Sequence, residues 1–362
     1  MHNREVVVLG GGPAGMAAAI EAAGAGAKVL VVDENKRPGG QLFKQIHKFF
    51  GSKDHNAGIR GMAIGESLLE ETKRLGVEVW LDSAAIGIFS DRRVAVLRNG
   101  CTEVVQAKRL LVSTGASENA VNFPGWTLPG VMGAGAAQTM INVYRALPAE
   151  RPLMIGSGNV GVIVSYQLLQ AGARVAGIVE AMPRIGGYGV HAAKVRRAGV
   201  PFFLSHTIVR AEGEDRVERA VIAELREGTV VPGSEKALAV DGVFLALGLR
   251  PLTELAWMAG VHHDFVPELG GWMPVHNRDM ETSVKGIYVA GDTAGVEEAN
   301  TAMDEGRLAG TAIAESLGYL SGARAEEMKA AVVERLDALR QGPFGERRRS
   351  AKAKILEKGK SW

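Results

Sequence analysis

The stretch VVVLGGGPAGMAAAIEAAGAGAKVLVVDENKRPGGQL, residues 6–42, decides the fold of this 362-residue chain. Val6 to Leu9 is continuously apolar and predicts a buried strand. The glycines that follow predict a tight turn, and Ala14 to Ala23 a helix that stops at Gly24 and Gly26. Lys28 to Val32 is then a second, parallel strand. Strong strands on both sides argue against a flexible glycine-rich loop, so the stretch reads as a βαβ unit, the seed of a doubly wound sheet. Gly10, Gly12 and Gly15 have the G-x-G-x-x-G spacing, with Pro13 and Ala14 between them and Asp33 at the end of the next strand. Gly10 makes the turn, Gly12 lets backbone N–H groups approach a pyrophosphate at the positive end of the helix, and Gly15 lets helix pack closely on strand. Asp33 can accept hydrogen bonds from the adenine-side ribose hydroxyls.

The layout recurs at residues 152–181, PLMIGSGNVGVIVSYQLLQAGARVAGIVEA. Gly156, Gly158 and Gly161 repeat the fingerprint, with Asn159 and Val160 opening the helix and Glu180 in the place of Asp33. An acid there favours a free ribose hydroxyl and repels a 2′-phosphate, so NAD(H) is favoured over NADP(H), with Arg184 nearby as the one contrary residue. After each βαβ start the chain changes to alternating apolar and polar residues. The first such antiparallel meander follows Gly76 and has a hairpin signal at Asn99-Gly100; the second spans Thr207 to Val231. Late strands end each unit, GVFLALG at 242–248 and GIYVAGD at 286–292. The expected fold is α/β, with two Rossmann-like three-layer dinucleotide-binding domains, each carrying a small β-meander. The second is expected to be inserted in the first: 1–118 plus 272–330 as one domain, 119–271 as the other, and 331–362 as a helical, basic tail. The tail reads first as a solvated helix and second as a partner-docking one.

Lys and Arg number 42 against 40 Asp and Glu, which argues against nucleic acid or an anionic membrane as partner. The single Cys101 allows no intrachain disulfide, thiolate zinc site or iron–sulfur cluster held by this chain alone, so redox chemistry needs an organic cofactor. No apolar run is long enough to span a membrane, and the expected location is the cytoplasm. His262-His263-Asp264 and His276 lack metal-binding helical spacing, no metal is expected, and His47 reads as a loop histidine.

PGGQL at 38–42 and GDTAGVEEANTAM at 291–303, together with the two fingerprints and the VSTGA turn at 112–116, resemble the two-dinucleotide-domain flavoproteins that include thioredoxin reductase and related pyridine nucleotide oxidoreductases. The resemblance implies FAD in the first site and NAD(P)H in the inserted domain. It extends the FAD contacts to Glu34, Gly40, Gln41, Leu42 and Ala85, to Thr114-Gly115 closing over the nucleotide, to Gly291-Asp292 at the ribityl or pyrophosphate region, and to Glu298 and Ala299 beside the flavin ring. The Arg-Gln-Ala of the thioredoxin reductase pattern is replaced by Glu297, Glu298 and Ala299. The cysteine pair of disulfide reductases is missing, so such an activity is not expected.

FPGWTLPGVMGAGAAQTM at 123–140 narrows the resemblance to the FAD subunits of opine oxidases, hydrogen cyanide synthase and hydroxyproline or dye-linked proline dehydrogenases. That implies one component of an amine or imino-acid dehydrogenase built from several subunits, partnered by a second flavoprotein and a small [2Fe-2S] protein. Two alternatives stand beside it: a self-contained NADH:acceptor oxidoreductase, and a non-catalytic nucleotide-binding subunit.

Overall fold

The computed structural model describes residues 2–360, and within them all side chains except those of residues 343 and 344. The chain divides into two compact units, one formed by the residues up to Ser117 and from Arg250 onward, the other by Glu118–Leu249.

In the first unit five parallel strands lie in the order Glu78–Trp80, Val29–Val32, His2–Leu9, Cys101–Val112 and Ile287–Val289. Val6, Val7, Val8 and Leu9 are all buried, as expected for a strand covered on both faces. Each such side chain contributes about 1.5–3 kcal/mol. The meander is an extension of this sheet. Arg93–Arg98 runs antiparallel to the outer half of the long strand Cys101–Val112, Ser83–Ile88 pairs antiparallel with Arg93–Arg98 in turn, and Asn99 and Gly100, both at positive φ, turn the hairpin.

The helix Pro13–Gly24 crosses the late helix Ala299–Ser316 at backbone contact. A Cβ on Gly306 would lie 2.1 Å from the Ala14 carbonyl oxygen, and one on Gly310 would lie 2.4 Å from that of Ala18. The run of alanines after the fingerprint thus has a packing reason beyond helix propensity: only small residues let the late helix, and the turn before it, reach the glycine loop.

The second unit repeats the strand order with Phe202–Leu204, Gly177–Glu180, Pro152–Ile155, Gly242–Leu245 and Val131–Gly133, again parallel. Its fifth strand comes from before the fingerprint, whereas the first unit takes its fifth from near the end of the late region. The second meander is longer than its expected 207–231, because Lys236–Ala239 pairs with Arg219–Arg226 as a further strand.

Two boundaries differ from the expectation. The return to the first unit falls at Arg250, not 272: Ala256, Ala259 and Val261 are buried in that unit's main core, and the hairpin His263–Val266/Gly271–Pro274 belongs with it. The tail is not a separate segment either. It folds as helices Gly322–Leu339 and Gly342–Lys358; Val332 and Leu336 enter the main core, while Ala351 and Ile355 pack with Val266, Leu269, Met273 and Val275. A cationic helix with a narrow apolar seam reads as solvated until the surface that receives the seam is known.

Candidate dinucleotide sites

The two glycine loops share the geometry of their matching glycines. Gly10 and Gly156 have φ of 101° and 103°, and a Cβ on either would sit 2.4 or 2.2 Å from a carbonyl oxygen, that of Ser113 or Ala246. Gly15 and Gly161 would meet the carbonyl oxygens of Gly10 and Gly156 at 1.9 and 2.1 Å. Gly12 and Gly158 behave oppositely, because a Cβ there meets nothing within 4 Å. Close packing therefore requires the outer glycines, while the middle one keeps an open face. The helices that follow, Pro13–Gly24 and Asn159–Gln170, have no side-chain cap at their N-termini. Pro13, Ala14, Asn159 and Val160 stand at these starts, with Val160 exposed. Open backbone and uncapped amides fit the diphosphate of a dinucleotide in both units.

The acids do more than expected. Asp33, buried, accepts from Gly11 N (2.6 Å), Asn35 N (2.8 Å) and Asn35 Nδ2 (2.9 Å). Glu180 accepts from Ser157 N (2.9 Å), Ser157 Oγ (2.6 Å) and Met182 N (2.9 Å). A carboxylate offers about four acceptor positions, so each acid first anchors its own glycine loop and keeps room for about one ribose hydroxyl, not two. Glu34, beside Asp33, is exposed.

A second segment folds back onto each loop. Gly39 N donates to Gly11 O (2.6 Å), and Gly187 N to Ser157 O (2.8 Å). Gly40 lies against Gly12, with Gln41 exposed and Leu42 buried beneath. In the second unit Gly186 N donates to Ser157 Oγ (3.0 Å) and Tyr188 N to Asn159 Oδ1 (2.9 Å). Sequence reading singled out Gly40 and Gln41 but missed Gly186, Gly187 and Ser157. The signal was present, since Arg37 and Gly39-Gly40 after Asp33 recur as Arg184 and Gly186-Gly187 after Glu180.

Thr114, Gly115, Gly291 and Asp292 come together in the first unit. Thr293 Oγ1 accepts from Gly115 N (2.8 Å) and lies 3.2 Å from Thr114 Oγ1, which donates to Leu252 O (2.6 Å). Gly291 N donates to Glu305 Oε2 (3.1 Å). Asp292 accepts from Glu297 N (3.3 Å); its withdrawal from water and the carboxylates of Glu305, Glu298 and Glu297 outweigh that bond and push its pKa up to about 6. Ala85 lies in the strand Ser83–Ile88, at the point where its pairing with Arg93–Arg98 shifts register. Thr293 and Glu305 were not anticipated, because what they hold is backbone.

The tail also reaches this place. Glu305, fully buried, accepts from Arg340 Nη2 and pairs with Lys352 Nζ, both at 2.7 Å. Burial alone would raise its pKa; Lys352 and Arg340 together hold it below the usual carboxylate value. Arg340 also forks onto Glu297 (3.0 and 2.6 Å), and Arg348 reaches Glu298 Oε1 (3.2 Å) just before Ala299.

Of the remaining candidates, His276 acts on Glu305 and helps to lower its pKa. His263 stacks on Trp257 with ring centroids 3.8 Å apart, His276 is fully buried, and His47 stacks with Phe49. Cys101 is exposed at the start of its strand. Among the described residues no cluster of three or more His, Cys, Asp or Glu could hold a metal, and no helix is long and apolar enough to cross a membrane.

Known proteins agree with this architecture. An opine oxidase subunit of Agrobacterium tumefaciens is 31% identical over 88% of this chain and 66% of its own length. Hydrogen cyanide synthase subunit HcnB of Pseudomonas aeruginosa is 30% identical over 94% and 77%. The chain spans just under two thirds of two of the opine oxidase subunits it matches, 66% and 64%. Among solved structures, thioredoxin reductase of T. acidophilum superposes with a TM-score of 0.72 at 21% identity, covering 88% of this chain and 99% of that one. L-proline dehydrogenase of P. horikoshii gives 0.70 at 23% identity, covering 92% and 58%. These two share the fold. Residues 4–306 match the model of the pyridine nucleotide-disulphide oxidoreductases, and the chain belongs to that family of FAD- and NAD(P)-binding oxidoreductases.

Proposed function

We propose that the first unit holds FAD, that the second holds NAD(H), and that the chain is the component bearing both in an amine or imino-acid dehydrogenase of several subunits, of opine, proline or hydroxyproline type. The observation that carries this reading is the duplicated glycine loop, open at Gly12 and at Gly158, in a chain whose one thiol, Cys101, is exposed at the start of its strand. A disulfide reductase would need a second thiol; a dehydrogenase component needs none. The names of the relatives, subunits of opine oxidase and hydrogen cyanide synthase, support the partnered form.

When bound, the two dinucleotides supply hydride transfer between nicotinamide and flavin. The chain supplies grip and electrostatics. Amides around Gly12 and Gly158 take the diphosphates, and Asp33 and Glu180 each give an acceptor to an adenine-side ribose. Gly40, Gln41, Thr114, Gly115 and Asp292 serve the FAD side, with Glu298 and Ala299 nearest the ring. Glu180 carries the preference for NAD(H), because its charge repels a 2′-phosphate. A second flavoprotein that oxidises the amine, and a small [2Fe-2S] protein that accepts electrons, complete the assembly.

Anaerobic titration followed by visible absorbance tests the reading. Proline, hydroxyproline or an opine should bleach the flavin of the natively purified complex and leave the isolated chain yellow. An isolated chain that oxidises NADH at full rate with a dye or quinone would instead establish the self-contained reductase. A flavin that no donor reduces would establish the non-catalytic reading.

A further inference from the structure

Four carboxylates crowd the start of the late helix: Asp292, Glu297, Glu298 and Glu305. By the reading above this is where FAD brings its own negative diphosphate and where the flavin gains electrons. Like charges so placed oppose both events, and in a partly dry site the opposition is strong. Ahead of the late helix the buried His276 acts on Glu305, while Glu297 and Glu298 stand where the resembling reductases carry an arginine and a glutamine. The answer comes from the tail. Arg340 forks onto Glu297 and also reaches Glu305, Lys352 pairs with Glu305 and donates to Ala294 O (2.8 Å), and Arg348 meets Glu298. Both Arg340 and Lys352 are buried, and burying a charge of either kind is costly unless it is paired. Glu305 passes the effect on, since its other oxygen holds the amide of Gly291.

We propose that Arg340, Arg348 and Lys352 of the C-terminal helices are positioning residues of the flavin site: they replace the missing cation at the start of the late helix, tighten FAD binding and raise the flavin's reduction potential. The inference rests on FAD occupying the first unit and on no feature of the second. It makes the tail part of the cofactor site, where its composition suggested a solvated or partner-binding helix.

The test uses the full chain in three variants, Lys352→Met, Lys352→Arg and Arg348→Gln, with FAD affinity measured by reconstitution of apoprotein and the midpoint potential by dye equilibration. Lys352→Met should weaken FAD binding about tenfold or more, as expected when a buried carboxylate loses its partner, and should lower the potential. Lys352→Arg should restore both. Arg348→Gln removes a half-exposed cation that no core depends on; it should leave the unfolding temperature unchanged and still lower the potential. Wild-type affinity and potential in Lys352→Met and Arg348→Gln, with only the unfolding temperature reduced in the former, would overturn the proposal and leave the tail a purely structural brace. A wild-type chain that takes up no FAD would instead overturn the assignment of the first unit, and the proposal with it.

Discussion

The two glycine loops are copies in their backbone and unlike in what braces them. In the first unit Gly11 sits under Asp33, the closing turn is tied by Thr293, and a buried set of ion pairs from the tail stands behind it. In the second, Ser157 replaces Gly11, and its hydroxyl joins Glu180 to the fold-back segment at Gly186. Local sterics thus require the same two outer glycines twice and leave the same middle one open. The ligand each loop serves is set by neighbours that the fingerprint does not contain.

The sharpest way to break the comparison is at the glycines themselves. Gly15→Ala and Gly161→Ala each force a Cβ to within about 2 Å of a backbone carbonyl oxygen. Each should cost its own unit about 3 kcal/mol or more, seen as a large fall in the denaturant midpoint. Near-native stability in either would show that the loop relaxes and that the copies are not under the same constraint.

Filling the open faces separates binding from folding. Gly12→Val and Gly158→Val add a side chain where no neighbour lies within 4 Å, so both variants should fold. Gly12→Val should lose FAD affinity and leave NADH binding by calorimetry intact, and Gly158→Val the reverse, each by about tenfold or more, equivalent to about 1.4 kcal/mol. Loss of both ligands in either variant would contradict two independent sites.

How much of this was legible beforehand follows from distance along the chain. The strands, the fingerprints and the hairpin at Asn99-Gly100 are local signals, and they were readable. The alanine-rich helix was readable as a helix, but its reason, close crossing by Gly306 and Gly310, lies some 290 residues away. Glu305, Arg340 and Lys352 were unreadable as a group because they come from three separate segments, and isolated charges on helices ordinarily belong to solvated faces. Arg250 as the return point was hidden because a five-residue helix and a short hairpin carry no periodicity long enough to assign them to either core.

A smaller effect distinguishes the second unit by its hydroxyl. Ser157→Ala removes the buried bridge between Glu180 and Gly186, and should destabilise the second unit by about 1–2 kcal/mol while weakening its nucleotide binding. The converse change, Gly11→Ser, should not improve the first unit. A Cβ there would lie 2.9 Å from Asp33 Oδ2 and 3.3 Å from Pro38. If Gly11→Ser were neutral, the two braces would be interchangeable and the contrast between the units would lose its physical basis.

The smallest effect is a pH dependence that only the first unit should show. Its strand Ile287–Val289 is followed by Gly291 and Asp292, whereas the matching strand Val131–Gly133 runs directly into the helix Ala134–Asn142. Asp292 titrates at about 6, above the 3.8 of an ordinary aspartate, first because it is withdrawn from water and then because carboxylates surround it. Between those values the folded chain binds a proton that the unfolded chain does not. The destabilisation from this group is therefore fully present above pH 6 and fades as the pH falls toward 4. Asp292→Asn should stabilise the apoprotein at pH 8 by about 1 kcal/mol, after allowing for water reaching a half-buried group, and should give no gain at pH 4. The same variant should bind FAD more weakly even though it removes a charge that repels the diphosphate, because a carboxylate kept at a cost in the empty site accepts hydrogen bonds from ribityl hydroxyls of the ligand. Scanning calorimetry of apoprotein and reconstituted protein at both pH values separates the two effects. A gain at pH 8 without loss of FAD affinity would remove Asp292 from the binding site and leave its strain unexplained by function.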